Sequence, residues 1–339
     1  RALLERFAAW RGEGRTLVLA TVVATSGSTY SKPGHRILIA DTDQWQGLVS
    51  GGCLEGDLAL HADAVRRDGA TRVVTYDLRA GGEDVFGLGV GCDGLIRVLL
   101  QRLDPAGGFE PFATLARHLA DGPTVPWLLV TAAGGTLAPG ATLVGTAGGG
   151  VALAHGLAPA DAAALAPRLA GAGDPPVPVD LPAGATGLAG RIRPLPRLVV
   201  LGAGPDVPPL VTFARLLDFH VTVYDHRPAN TARPGLEAAD AVVTAPPGEL
   251  ASRVDLARVD AAVVMSHHLD SDRAYLGALA ASPVPALALL GPRARHDRLV
   301  RELGAAAAPL AGRLRGPAGL DLGHDTPAGI ALAIVAELC

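Results

Sequence analysis

Ser50-Gly51-Gly52-Cys53-Leu54-Glu55-Gly56-Asp57 brings a thiol and two carboxylates together behind a pair of glycines. Adjacent glycines let the backbone turn tightly and approach a ligand without a Cβ in the way. Leu54 to Arg67 reads as a helix, so its unpaired N–H groups and the positive end of its dipole face the loop. That setting favours a reactive thiol at Cys53 and suits an anionic group such as a phosphate. The loop therefore offers a soft sulfur beside an anion nest, with Ser50, Gly51, Gly52, Cys53 and Glu55 as candidate binding residues.

Two further loops carry related chemistry. Gly81 to Gly94 (GGEDVFGLGVGCDG) sets Gly91 and Cys92 in a glycine-dense turn, again beside an expected strand. A single buried cysteine is usually a small hydrophobe, but the repetition favours a function for the pair. Zinc wants four ligands, and no CxxC pair occurs in the chain. Thiolates are instead soft ligands that would line a pocket for a sulfur- or metal-bearing cofactor. Ser26-Gly27-Ser28-Thr29-Tyr30-Ser31-Lys32-Pro33-Gly34 is rich in hydroxyls and holds the only lysine. It reads either as an ordinary surface turn or as a donor set, Ser26, Ser28 and Lys32, for a polar ligand.

The last candidate site lies in the C-terminal part. Leu198 to Leu201 is a short apolar strand, Gly202-Ala203-Gly204 a turn, Leu210 to Leu217 a helix, and Val221 to Tyr224 a second strand ending at Asp225. This is the opening βαβ of a Rossmann fold, with Asp225 spaced to hold a ribose diol. Val207 replaces the third glycine of GxGxxG, and Pro208 and Pro209 follow it. Proline is tolerated in a first helical turn but removes donors that a pyrophosphate would use. Arg227 is placed either to meet a 2′-phosphate or to be solvated. His267, after the apolar run Ala261 to Met265, stands where open α/β sheets put ligands. The same stretch also reads as a polar loop in which Asp270 or Asp272 caps the next helix.

These loops need scaffolds. Residues 1 to 12 have helical spacing; Thr16 to Thr25, His35 to Ala40, Trp45 to Val49, Arg72 to Leu78 and Leu95 to Leu103 read as strands. From Asp104 to Pro196 the chain is Pro/Gly/Ala-rich and chemically quiet. It reads as completing the first domain, with helices at Phe112 to Leu119 and Ala158 to Leu169. Strands are expected at Trp127 to Ala132, Val177 to Leu181 and Leu188 to Pro194, with a loose spacer near Gly171 to Pro178. Beyond it, apolar strands alternate with helices up to a last helix with Thr326 as N-cap and Pro327 at N1. The expected class is α/β: a mixed α/β domain over 1–196 and a Rossmann-like, doubly wound domain over 197–339.

Composition narrows the classes. At 339 residues the chain can bury two cores. A net charge of −4 with 4% aromatics argues against a nucleic-acid surface. Three scattered cysteines do not make a disulfide framework and suit a reducing cytoplasm. No apolar run reaches the length of a membrane span.

Taken in order, SGGCLEGD at 50–57, GLGVGCDG at 87–94, ATSGSTYSKPGHR at 24–36, LGAG at 201–204, VMSHH at 264–268 and the Gly323…Thr326-Pro327 ending resemble the xanthine dehydrogenase accessory family, XdhC/CoxI. The resemblance implies a cytoplasmic maturation factor that binds the molybdenum cofactor, as molybdopterin or a dinucleotide form. It would protect the cofactor while a cysteine desulfurase supplies sulfur, then hand it to a molybdenum hydroxylase client. Cys53 would then lie at the molybdenum–sulfur end, with Cys92 close by, and one of the glycine or serine loops would hold the phosphate. Handover also suits a homodimer, although no heptad or exposed apolar stripe announces one. The rival from another class is an NAD(P)-dependent oxidoreductase using the C-terminal domain. It lacks a Tyr-x-x-x-Lys pair after Asp225, so His267 or His268 would have to donate the proton. A zinc hydrolase is disfavoured because HExxH-type spacing is absent.

Overall fold

In the computed structural model, which describes residues 1–79 and 94–339, the chain divides into two units, Arg1–Pro194 and Leu195–Cys339. The first opens with helix α1 (Ala2–Gly12), followed by strands β1 (Leu17–Gly27), β2 (Arg36–Asp41) and β3 (Gln44–Gln46). Helix α2 (Glu55–Asp68) and strands β4 (Arg72–Asp77) and β5 (Gly94–Leu103) complete an antiparallel sheet of order β3-β2-β1-β5-β4. Alternation in β1 decides its two faces. Leu17 and Leu19 enter a core shared with the second sheet, while Val18, Ala20 and Val22 pack beneath α2 with Leu54, Leu58 and Val65. A bulge between Val22 and Ala24 adds Val23 to the first of these cores.

After α3 (Phe112–Asp121) comes a second antiparallel sheet: β6 (Val125–Ala132), β7 (Thr142–Gly145), β8 (Val151–His155), β9 (Val177–Asp180) and β10 (Thr186–Ile192), in order β8-β7-β6-β10-β9. Trp127, Leu129, Val144 and Leu188 meet the first sheet, and α4 (Pro159–Leu165) covers the opposite face.

Several local expectations are corrected here. The strand expected over Trp45 to Val49 stops at Gln46, because Gly47 turns at φ 113°. The helix expected over Ala158 to Leu169 becomes 3-10 at Ala166, next to Pro167. The segment Gly171 to Pro178 is not a loose spacer. Gly173 bridges to Gly190, and Val177 and Pro178 belong to the edge strand β9, the place in a sheet where proline is tolerated.

The second unit is a six-stranded parallel sheet built from β11 (Arg197–Leu201), β12 (His220–Asp225), β13 (Ala241–Thr244), β14 (Ala261–Val264), β15 (Ala286–Leu289) and β16 (Leu314–Arg315). Its order is β13-β12-β11-β14-β15-β16. Buried on both sides, the central strands β11, β14 and β15 read as largely unbroken apolar runs. Leu198 and Val200 face α5 (Val207–Leu216) and a C-terminal helix, while Val199 and Leu201 face the opposite layer. Short helices α6 (Pro228–Thr231) and α7 (Leu250–Arg253) precede α8 (Leu269–Ala280) and α9 (Arg293–Leu303), which form that layer; α10 (Pro327–Leu338) closes the chain beside α5. This is the doubly wound Rossmann arrangement. Among the described residues, no helix is long and apolar enough to cross a membrane.

Thr326 caps α10 as expected, its Oγ1 accepting from Gly329 N at 3.1 Å. Thr326→Ala should cost about 1 kcal/mol. The check is thermal unfolding, with Tm about 2–4 °C lower.

Candidate functional site

Glu55 organises the first site. Its side chain is buried, 2% exposed, and turns back into the loop that precedes its own helix. Oε1 accepts from Val49 N (2.7 Å) and Ser50 N (2.9 Å); Oε2 accepts from Ser50 Oγ (2.6 Å), Gly52 N (3.0 Å) and Leu54 N (3.2 Å). Ser50 Oγ accepts from Leu54 N in turn, at 2.7 Å. Burial alone would push this carboxyl's pKa up. The hydrogen bonds from Ser50 and Val49 outweigh it and hold the value below the ordinary one. The nest expected for a ligand anion is thus lined by amides that already serve a protein carboxylate.

Gly51 and Gly52 both take positive φ, 79° and 116°, so the loop needs its glycine pair. Gly52 N and Leu54 N converge on one oxygen from either side of Cys53, which sits at the apex as an exposed free thiol.

The serine-rich loop lies alongside. Ser31 Oγ donates to Leu48 O (3.1 Å), and a Cβ on Gly51 would stand 3.9 Å from the Tyr30 ring. Ser26, Ser28 and Lys32 are exposed, and Lys32 Nζ donates to Thr29 O (3.3 Å). A Cβ on Gly94 would meet Ser28 O at 2.5 Å and Ser26 O at 3.0 Å, so that backbone closes on Gly94, the last residue of the GLGVGCDG motif. Gly91 and Cys92 lie outside the described residues. Arg36, the last residue of the serine-loop motif, stacks over Trp127 at 4.7 Å, and burial pulls its pKa down to about 10. The loop bearing Cys53, the end of β1 bearing Ser26, the loop bearing Ser28 and Lys32, and the strand leaving the Cys92 motif therefore meet at one end of the first sheet.

The second unit carries its own constellation. Gly202, at φ 128°, lets the turn touch the loop after β14: a Cβ there would stand 2.5 Å from Met265 O. Asp225 is fully buried. Its Oδ2 accepts from Ala203 N (2.8 Å) and an Arg227 terminal nitrogen (2.7 Å), and Oδ1 from Arg227 N and Nε, both at 2.9 Å. The acid spaced for a ribose diol is engaged by its own neighbour. Burial pushes its pKa up, but the Arg227 contacts and the Ala203 N–H prevail and bring it to about 2.

His267 is 56% exposed and pairs through Nε2 with Asp206 Oδ2 at 2.8 Å. The cap of α8 is His268, whose Nδ1 accepts from Ser271 N, rather than Asp270 or Asp272. Asp272 is buried, receiving Ser266 Oγ and Arg295. Sequence reasoning missed Asp206. Its only signal is an aspartate at the start of α5, which reads as an ordinary cap. Among the described residues no cluster of three or more His, Cys, Asp or Glu could hold a metal ion.

Residues 198–338 match the XdhC Rossmann domain, and residues 10–77 match the XdhC and CoxI family. The chain is 30% identical over 346 residues to a probable xanthine dehydrogenase subunit of Bacillus subtilis (strain 168), covering 95% of this chain and 92% of that protein. A crystal structure of a xanthine dehydrogenase from Bacillus halodurans has a TM-score of 0.81 at 27% identity, covering 100% of this chain and 95% of that one. With both units matched and a relative aligned over almost the whole length, the chain belongs to the XdhC and CoxI family.

Proposed function

We propose that the protein is an accessory factor for a molybdenum hydroxylase, holding the molybdenum cofactor and delivering its sulfurated form after a cysteine desulfurase has supplied the sulfur. The observation that carries this reading is Cys53: a free, exposed thiol pinned between two amides that share one carboxylate oxygen. Family membership and the relative described as a xanthine dehydrogenase subunit support a hydroxylase client.

The residues present fit one end of such a cofactor. Molybdenum with its terminal sulfur would be met by the soft, accessible Cys53 thiol. The cofactor's phosphate does not fit the 49–54 amides, which Glu55 occupies; Ser26 at the end of β1 and Ser28 and Lys32 on the adjoining loop are exposed donors. When bound, the cofactor supplies the metal–sulfur centre. This chain's part is to hold, orient and shield it. The NAD(P)-dependent alternative is weaker, since the N-cap Asp206 and the first turn Val207, Pro208 and Pro209 of α5 stand where a pyrophosphate would need N–H donors and no negative charge.

The test is retention of cofactor released from a molybdenum hydroxylase, read as protein-bound molybdenum and pterin after gel filtration. Cys53→Ser should lower retention roughly tenfold or more. Retention equal to wild type would remove the thiol from the mechanism, and tight NADPH binding with carbonyl turnover would favour the oxidoreductase.

A further inference from the structure

The strand order of the second unit reverses between β11 and β14. Open parallel sheets take their ligands at that reversal, beyond the carboxyl ends of the strands. Asp206 lies on the connection leaving β11 and His267 on the one leaving β14, and their side chains meet across the gap at 2.8 Å.

Local features that a plain loop would not need are arranged around this contact. Asp206 stands at the N-cap of α5 yet makes no capping hydrogen bond; its carboxylate turns toward the histidine instead. Its other oxygen, Oδ1, is buried without a partner. A Cβ on Gly204 would stand 2.5 Å from that oxygen and 3.4 Å from His267 Cδ2. A side chain at 204 would push this carboxylate aside, so glycine there keeps room for the pair, where a dinucleotide site would use it to admit a pyrophosphate. His267 itself adopts a left-handed φ of 58°, a strained conformation for a residue with a side chain. Pro208 and Pro209 in the first turn of α5 leave fewer amides in need of the missing cap.

We propose that Asp206 and His267 form an acid–base dyad at the switch point of the parallel sheet, serving a ligand that carries an ionisable O–H, N–H or S–H group. The carboxylate accepts Nε2–H and so fixes the ring with its lone pair on Nδ1, which has no partner among the described residues. The ligand's X–H bond breaks toward Nδ1. Its electron pair stays on X, the new N–H bond forms, and Asp206 stabilises the imidazolium. The proton leaves to water, or returns to the ligand, when the ligand departs. A carboxylate at the start of α5 disfavours a pyrophosphate there, so this is a use of the fold distinct from dinucleotide binding. It goes beyond the reading of Cys53 and does not depend on it.

Diethyl pyrocarbonate, which modifies an imidazole at its unprotonated nitrogen, tests the dyad on the full chain when the modified histidines are mapped by peptide mass spectrometry. His267 should react roughly tenfold or more faster than the exposed His324. In Asp206→Asn, which keeps the side chain's shape, the His267 rate should fall to that of His324, with circular dichroism verifying the fold. Equal His267 rates in wild type and Asp206→Asn would overturn the dyad. Shielding of His267 by released molybdenum cofactor would place that cofactor at the dyad. Shielding by NADPH alone would overturn the distinction from dinucleotide binding and favour the oxidoreductase reading. Shielding by neither probe would overturn its assignment as a ligand site.

Discussion

Glu55→Ala is expected to cost the first unit about 3–5 kcal/mol, because it removes the acceptor for four backbone N–H groups and one hydroxyl at once. Hydrogen bonds to a charged acceptor are the stronger kind, and donors left unpaired in a buried loop each carry a desolvation penalty. Glu55→Gln should lose nearly as much, since one of its two polar atoms becomes a donor facing donors. The measurement is the urea midpoint at constant m, together with the alkylation rate of Cys53, which should change as its loop loses a fixed shape. The acid limb follows by linkage. The folded carboxyl lies below its ordinary value, so its stabilisation is fully present above the unfolded pKa and is lost as pH falls through the folded one. Glu55→Gln should therefore lack that part of the acid-side loss of stability. A variant as stable as the wild type at pH 7, with unchanged Cys53 alkylation, would show that the carboxylate does not hold the loop.

The same residue marks where sequence reasoning stops. The glycine pair, the start of α2 and the exposure of the loop follow from residue types and their order. That Glu55 folds back into its own loop does not. A glutamate just inside a helix favours the dipole wherever its side chain points, and only the positions of five donors decide the direction. The parallel strands were legible because Leu198 to Leu201, Ala261 to Val264 and Ala286 to Leu289 are apolar runs ended by glycine or polar turns. The second antiparallel sheet was less so. β8 carries exposed Val151 and Ala152 instead of a clear alternation, and β9 holds Pro178, whose tolerance depends on an edge position that only the pairing reveals. Asp225 has the spacing of a ribose ligand, yet a nearby arginine was enough to draw it inward, and spacing carries no information on that competition.

That competition yields the second large effect. Arg227→Ala should destabilise the second unit by about 2–4 kcal/mol, below the full cost of breaking a buried pair because the Arg227 side chain is 37% exposed and water can enter. Asp225 would keep Ala203 N and the backbone N–H of residue 227 while losing both guanidinium contacts. The link from Arg227 to Ser266 O (3.0 Å), which ties the end of β12 to that of β14, would go as well. In the wild type the Asp225 carboxyl is held at about 2, below its ordinary value, so its stabilising contribution is complete above pH ~4 and disappears as pH falls toward 2. Without Arg227 burial dominates and the folded pKa rises, so protonation of Asp225 takes less stability from the variant than from the wild type. Urea titrations from pH 7 to pH 3 would show this as a gap between the two proteins that is largest at pH 7 and narrows on acidification. Asp225→Asn in the Arg227→Ala background should recover part of the loss, since it neutralises a buried charge left with too few partners, and the two changes should be strongly non-additive. Additive effects would mean that Arg227 acts mainly through Ser266, leaving Asp225 available to a ligand hydroxyl after all.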